Sequence, residues 1–174
     1  MIFPLFRRTP DTISALYGMI VAQARVPVFY RVYGVPDTVD GRFELILLHL
    51  FLVLRQLDRE EAGREIGQQV FDVFCRDMDR NLREMGIGDL KVPKEMRRMG
   101  EAFYGRAKAY EAALALNDAG ALRTAIARNV LGTDNVENGG AAGLATYILD
   151  AANRLAAQDV AALHRGFVDF PEPT

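Results

Sequence analysis

Residues 43–57 read FELILLHLFLVLRQL, a run that is apolar on nearly every side of a helix. A helix that is apolar all round is buried among neighbouring elements, whereas a surface helix has one apolar face. The longest apolar run, Leu45–Leu54, has His49 in its middle and spans about half of the ~20 residues that a membrane-crossing helix requires. We therefore predict a buried central helix, and no segment long enough to span a bilayer.

The segments around this central helix also carry helical patterns. Before it, apolar residues recur at helical spacing from Pro10 to Ala24, and the aromatic segment Val28–Tyr33 predicts either a short helix or an extended connection. After it, the spacing predicts helices over residues 60–85 with Gly86 as a left-handed cap, over 93–117, over a shorter stretch capped by Asp118, and over 141–165 as one helix or a broken pair. Residues 132–140 predict a surface loop. The sequence thus predicts an all-α fold, a single compact domain of about six or seven helices.

Length and charge limit the possible classes of protein. The chain has 174 residues with 23 acidic and 21 basic side chains, which indicates one globular domain and excludes a polybasic nucleic-acid coat, so we expect no nucleic-acid partner. We predict a short apolar and basic segment at residues 1–8 (MIFPLFRR), followed by a helical domain at residues 9–174. This segment lacks the order of a secretory signal, which predicts a cytoplasmic location. Met1 to Arg8 also predict a peripheral contact with the inner face of the plasma membrane; the alternative is a frayed end packed on the core.

Residues suited to catalysis or metal binding are few. Cys75 lies among apolar residues at helical spacing, which favours a packed thiol, and His49 is interpreted as a core histidine that donates to a carbonyl, with a proton shuttle as the alternative. His164 lies near the end of a helix, where its charge suits the dipole. Asp77 and Asp79 cannot share a helix face, and one cysteine with two histidines is too few for an ordinary zinc site. We predict no enzyme, no metal and no cofactor.

Four methionines flank the loop at residues 86–92: Met78, Met85, Met96 and Met99. Methionine adapts to irregular apolar partners, so these residues either fill gaps in the core or form a groove that accepts an apolar helix, rimmed by nearby arginines. A local excess of positive charge follows the loop, at Lys91, Lys94, Arg97 and Arg98, interrupted by Glu95. This cluster is either a solvated helix start or a docking site for an acidic or membrane partner.

Four stretches carry a family resemblance: GVPDTVDGRFEL at 34–45, DMDRNLREMGIGDL at 77–90, MRRM at 96–99 and EAFYGR at 101–106. Together they resemble the ubiquinol-cytochrome c chaperone family, whose members are assembly factors for cytochrome b of the cytochrome bc1 complex. The resemblance covers roughly residues 11–170. It implies a non-catalytic helical chaperone that binds newly made cytochrome b, a hydrophobic membrane protein, and promotes assembly of respiratory complex III.

The resemblance also implies a type of member, and together with the chemistry of the methionines and basic residues it predicts a partner surface. Mitochondrial relatives carry an amino-terminal extension with an anchor, and work at the ribosome with a small helical partner. This sequence starts almost at the helical domain, so we expect a bacterial-type member and leave the ribosome and the small partner open. The predicted client- and partner-binding residues are Arg80, Arg83, Met85, Lys94, Met96, Arg97 and Met99.

Four other residues of the same motifs, Asp40, Arg42, Asp77 and Tyr104, are predicted to act as helix caps and as buried ion-pair or hydrogen-bond partners. Two alternatives to the chaperone function stay open at this point. One is a peripheral membrane adaptor or helix-binding interaction module without a cytochrome b client. The other is an enzyme of haem or quinone metabolism.

Overall fold

The computed structural model describes residues 10–174, with side chains from Thr12 onward. The helices are α1 Pro10–Ala24, α2 Pro27–Arg31, α3 Val39–Leu57, α4 Glu61–Glu84, α5 Val92–Ala115, α6 Ala119–Asn129, α7 Gly139–Ala157 and α8 Val160–His164. Within these residues there is no strand, and six helices are long while α2 and α8 have five residues each. The prediction of a single all-α domain is confirmed. The short segment predicted at residues 1–8, with its membrane contact, lies outside the described residues.

Helix α3 is the centre of the bundle. It contacts α1, α4, α5 and α7, and most of its residues are buried, as the all-round apolar pattern predicts. Its start is fixed locally, since the Thr38 side chain accepts a hydrogen bond from the Gly41 N–H at 3.1 Å. A Cβ at Gly41 would lie 1.9 Å from the Pro36 carbonyl oxygen. Glycine therefore lets the preceding segment turn tightly against the first turn of α3.

Helices α1 and α2 correct one prediction. Thr12–Arg31 is 20 residues long with a mean hydropathy of 1.3, so by length and composition it is apolar enough to cross a membrane. The prediction that no segment is long enough to span a bilayer is therefore wrong. In this fold the stretch is broken, because α1 ends at Ala24 and Pro27 begins α2. Leu16 and Ile20 are fully buried, in a helix that packs on α3 and α4. The core helix of a soluble protein meets the same criterion.

The ends of the helices follow the local signals in the sequence. Gly86 has φ +83 after α4, so it adopts the predicted left-handed conformation. Asp118 caps α6, its carboxylate accepting from the Ala121 N–H at 2.9 Å. The aromatic segment after α1 forms the short helix α2, and the last predicted helix is the broken pair α7 and α8. His164 is the last residue of α8.

His49 lies fully buried in α3 and confirms the prediction of a core histidine. Its Nδ1 lies 2.7 Å from the Leu45 carbonyl oxygen, which only accepts, so Nδ1 carries the proton. Nε2 then accepts from the Tyr147 hydroxyl at 2.9 Å, and Gln23 Nε2 donates to the same hydroxyl oxygen at 3.0 Å. Burial lowers the pKa of His49 to about 4. Cys75 is half-buried, and burial raises the pKa of its thiol, as expected of a packed cysteine.

The last residues, 166–174, form a tail that runs back over the helices without helical structure. Arg154 of α7 pairs with Asp169 at 2.9 Å, Gln23 Nε2 of α1 donates to the Pro171 carbonyl oxygen at 3.0 Å, and the Tyr33 hydroxyl donates to the Thr174 carbonyl oxygen at 2.9 Å. The Phe170 ring also packs edge-on against His49. The tail thereby ties the last long helix to the first one.

Candidate functional site

A groove of about 770 Å³ opens where four parts of the chain meet. These parts are the first turns of α3 with the segment before them, the end of α4, residues 95–106 of α5, and the end of α6 with the residues after it. The apolar lining includes Val39, Phe43, Leu82, Met85, Met99 and Val130, and the charged lining consists of Asp40, Glu44, Glu95, Arg98 and Arg106. Val39 and Met85 are 65% and 52% exposed, which is unusual for large apolar side chains and leaves apolar surface at the groove.

An ion pair between α3 and α5 forms part of the groove wall. Arg106 Nε and Nη2 donate to the two carboxylate oxygens of Glu44, both at 2.5 Å, and Arg106 Nη1 donates to the Ala102 carbonyl oxygen at 3.2 Å. The side chains are only 10% exposed for Glu44 and 25% for Arg106. Burial raises the pKa of Glu44 above its usual value, although Arg106 opposes that shift. This pair fixes the spacing of α3 and α5 beside the groove.

Sequence reasoning did not identify Glu44 and Arg106 as site residues. The available signal was Glu44 itself, a carboxylate next to a long apolar run that needs a partner when it is buried. The identity of that partner was not visible, because Arg106 lies 62 positions away on another helix.

Some of the four methionines near the loop fill gaps in the core, and others line the groove. Met78 is 5% exposed and fills the core, and Met96 is half-buried and packs against it. Met85 and Met99 line the groove, and Met99 also packs against the core. The structure therefore brings two of the predicted methionines together at one surface.

The predicted basic residues lie outside the groove lining. Arg80 pairs with Asp77 and with Glu84, and Arg83 pairs with Asp79 at 2.7 Å and with Asp89, all on or next to the exposed face of α4. These i, i+3 and i, i+4 pairs stabilise the helix end modestly, because they are exposed to water.

The other two predicted basic residues, Lys94 and Arg97, are exposed on α5. Neither forms an ion pair with any residue that the structure describes. Their neighbour Arg98 pairs with Glu95 at 3.0 Å and lies at the groove. The predicted set therefore spans the groove and the adjoining surface of α5.

Two motif residues were predicted as buried polar partners, with different outcomes. Asp77 accepts a hydrogen bond from the Tyr17 hydroxyl at 2.8 Å, in a partly buried contact that joins α4 to α1. Arg42 pairs with Asp37 at 2.7 Å, but the two side chains are 60% and 59% exposed. The prediction of burial is confirmed in part for Asp77 and is wrong for Arg42.

The remaining two motif residues lie at the surface. Asp40 is exposed in the first turn of α3, where its charge suits the helix dipole, while Thr38 provides the capping side chain. Tyr104 is 66% exposed, with its ring against Phe103 at 5.6 Å between centroids. The prediction of a buried hydrogen-bond partner is wrong for Tyr104.

The groove offers apolar and charged surface side by side. Its walls combine apolar side chains with fixed charges at the edges, which suits an amphipathic or apolar segment of another protein. Among residues 12–174, no three His, Cys, Asp or Glu side chains come close enough together to hold a metal ion.

Known proteins share both the sequence pattern and the fold of this chain. The family model for the ubiquinol-cytochrome C chaperone matches residues 31–170, which is most of the chain. The chain belongs to the ubiquinol-cytochrome c chaperone family. Its fold is similar to that in the crystal structure of the Cbp3 homolog from Brucella abortus, with a TM-score of 0.87 and 40% identity over 99% of this chain and 97% of that one.

A curated relative points to the same complex. The chain is 26% identical over 117 residues to ubiquinol-cytochrome-c reductase complex assembly factor 1 of Xenopus laevis. The match covers 67% of this chain and 58% of the length of that relative. The family resemblance seen in the sequence is thus confirmed, and the family is one of chaperones for complex III assembly.

The groove is built mostly from the four stretches that carry the family resemblance. Apart from Glu95 and residues 129–132, every lining residue falls in 34–45, 77–90, 96–99 or 101–106. The irregular family motifs therefore meet at one surface of the fold.

Proposed function

We propose that this chaperone binds newly made cytochrome b and holds an apolar segment of it in the groove until complex III assembles. The observation that carries the proposal is the meeting of the family stretches at an open groove with exposed apolar side chains. Family membership supplies the complex, and the groove supplies a surface that suits a membrane-protein client.

The physical reason lies in the client. Apolar helices that are destined for a bilayer expose large apolar surface in water, so they need temporary cover. Met85 and Met99 suit this purpose, because unbranched thioether side chains repack around different apolar shapes. The task requires no bond-making step, so a non-catalytic role follows from the proposal.

Charges at the edge of the groove set orientation more than strength. Arg98 and Asp40 lie in the lining, and the predicted residues Arg80, Arg83, Lys94 and Arg97 lie on the surrounding surface of α4 and α5. In the proposal the groove holds the apolar part of the client, and these flanking charges meet its polar ends. The proposed location is the cytoplasmic side of the membrane that receives the client.

Site-specific photo-crosslinking tests the groove directly. A photoreactive residue at Met85 or Met99 is expected to capture cytochrome b during its synthesis, whereas one at Asn153, which is exposed on α7, is not. The loop at 132–140 is a poor control position, because Gly132 lines the groove. Capture from Asn153 alone, or from none of the three positions, would contradict the proposed surface.

Gene deletion tests the client. A strain without this gene is expected to lose the cytochrome b absorbance and the assembled bc1 complex, while other respiratory complexes remain at normal levels. A matched strain that carries Leu116→Ala, an exposed position away from the groove, is expected to assemble the complex normally. Normal maturation of bc1 in the deletion strain would show that the chain serves another client.

A further inference from the structure

A second surface of the molecule lies beside the groove, at the corner between α4 and α5. Leu90, in the connecting loop, is 98% exposed, so almost none of its apolar surface is covered by the described residues. Lys91 follows it directly, and Lys94 and Arg97 continue on the exposed face of α5. We call these four residues, Leu90, Lys91, Lys94 and Arg97, the basic corner.

The positive charge of the basic corner is not neutralised by its neighbours. Among the described residues no carboxylate pairs with Lys91, Lys94 or Arg97. The two nearest acids are committed elsewhere: Asp89 pairs with Arg83, and Glu95 pairs with Arg98. The next exposed acid on this face, Glu101, lies about one helical turn after Arg97 and two after Lys94, and it forms no ion pair with either. The corner is therefore locally positive, although the whole chain carries a net charge of −2.

The spacing of these charges suits an array of phosphates. Lys91, Lys94 and Arg97 are three residues apart, so they follow one stripe that extends over roughly 9 Å of helix rise. Lysine and arginine stems reach along an apolar surface while their charged ends remain at the polar layer. An exposed apolar side chain next to a row of cations is an arrangement by which peripheral segments bind a bilayer whose surface is anionic.

We propose that the basic corner docks on an anionic lipid surface, with Leu90 among the headgroups and the three cations on lipid phosphates. This surface does not include residues 1–8. It shares Lys94 and Arg97 with the charges that flank the groove, whereas Leu90 and Lys91 belong to the basic corner alone. Since Arg98 and Met85 line the groove and adjoin the corner in the sequence, docking brings the groove close to the bilayer. An apolar segment of the client would then move only a short distance between the groove and the bilayer.

Vesicle flotation with the full chain tests the proposal. At low ionic strength the chain is expected to float with vesicles of phosphatidylcholine and phosphatidylglycerol, but not with phosphatidylcholine alone, and added salt is expected to release it. The triple variant Lys91→Gln, Lys94→Gln, Arg97→Gln is expected to lower the partition coefficient about 100-fold. Leu90→Ala is expected to lower it about tenfold, because an inserted leucine loses most of its apolar contact.

Matched controls separate the corner from general charge and apolarity. The control triple Arg76→Gln, Lys108→Gln, Arg165→Gln removes the same charge from exposed positions elsewhere, and Leu116→Ala removes a leucine that is 79% exposed at the end of α5. Both controls are expected to float like the unaltered chain, apart from a small decrease for the triple. All the substituted side chains are exposed, so far-UV circular dichroism is expected to show folded protein in every case.

Four outcomes would overturn the proposal. They are no flotation of the unaltered chain with anionic vesicles, unchanged flotation of the basic-corner triple, equal losses in both triples, and loss on deletion of residues 1–8 while the basic-corner triple still floats. The first outcome would turn attention to an acidic protein partner for this surface. None of these outcomes bears on capture of cytochrome b by the groove, so the two proposals fail separately.

Discussion

The buried histidine of α3 makes the free energy of unfolding of this domain depend on pH. His49 is fully buried and neutral, with its Nδ1 proton on the Leu45 carbonyl oxygen and its Nε2 accepting from Tyr147. Protonating Nε2 inside the core would put a donor where the hydroxyl now donates, without solvent to stabilise the charge. The substitution His49→Gln removes the titrating group and is expected to weaken this acid dependence.

The size of the effect follows from the two pKa values of the imidazole. The pKa is 6.5 when water surrounds the ring and about 4 in the fold, where burial lowers it. As the pH falls, the unfolded chain therefore takes up the proton first. The stabilisation is complete above about pH 6.5 and is lost as the pH falls to about 4, and at about 1.4 kcal/mol per pH unit the loss is about 3 kcal/mol.

Urea unfolding followed by far-UV circular dichroism measures this loss. Between about pH 7 and about pH 4, the unaltered chain is expected to lose about 3 kcal/mol more free energy of unfolding than His49→Gln. Tyr147→Phe is the matched control, because it removes the hydroxyl but leaves the imidazole buried and titratable. Equal losses in the unaltered chain and His49→Gln would refute the assignment of the acid dependence to this residue.

Two further predictions concern the groove wall and α7. Arg106→Met leaves Glu44 buried without its partner and is expected to lower the free energy of unfolding by about 3–5 kcal/mol. The double variant Glu44→Leu, Arg106→Met is expected to recover most of that loss. Urea unfolding measures both variants, and a loss of less than about 1 kcal/mol in Arg106→Met would contradict the prediction. In Gly140→Ala the new Cβ would lie 1.9 Å from the Tyr33 carbonyl oxygen, so we expect the free energy of unfolding to fall by about 2 kcal/mol or more. In Gly139→Ala the new Cβ would have no neighbouring atom within 4 Å, so we expect this variant to be neutral or slightly stabilising. Thermal unfolding compares the two alanine variants, and equal transition temperatures would show that the segment shifts without cost.

The positions of the helices were predictable because their signals are local. In α4, Ile66, Val70, Phe74, Met78 and Leu82 recur every four residues, and all five are buried. A side-chain spacing of this kind is set by the helix itself and needs no knowledge of its neighbours.

The wrong prediction about membrane-spanning segments came from considering only uninterrupted apolar runs and not the mean hydropathy of longer stretches. Leu45–Leu54 is the longest uninterrupted apolar run, whereas Thr12–Arg31 reaches a high mean hydropathy with polar residues interspersed. Scattered aliphatic residues such as Ile13, Leu16 and Ile20 raise the average there without forming a continuous run. The break at Pro27 shows how the fold accommodates that stretch.

The groove was only partly predictable, since its walls come from residues far apart in the sequence. Methionine spacing indicated the region around the loop at 86–92, and Met85 and Met99 do lie in the groove. No local pattern distinguishes them from Met78 in the core, because burial depends on which helix packs opposite. The contribution of Val130 likewise depends on how α6 packs against α5.

The tail has a consequence for how the chain is synthesised. Gln23 bonds to Pro171 across 148 positions, Tyr33 bonds to Thr174 across 141, and Phe170 covers one edge of His49. Translation proceeds from the amino terminus, and contacts of such long sequence separation close late and slowly. While residues 166–174 are still inside the exit tunnel, α1 and α3 lack part of their final cover. The contacts of the tail therefore form only after all eight described helices have been made, and truncation before Pro171 is expected to make α1 and α3 more sensitive to proteases.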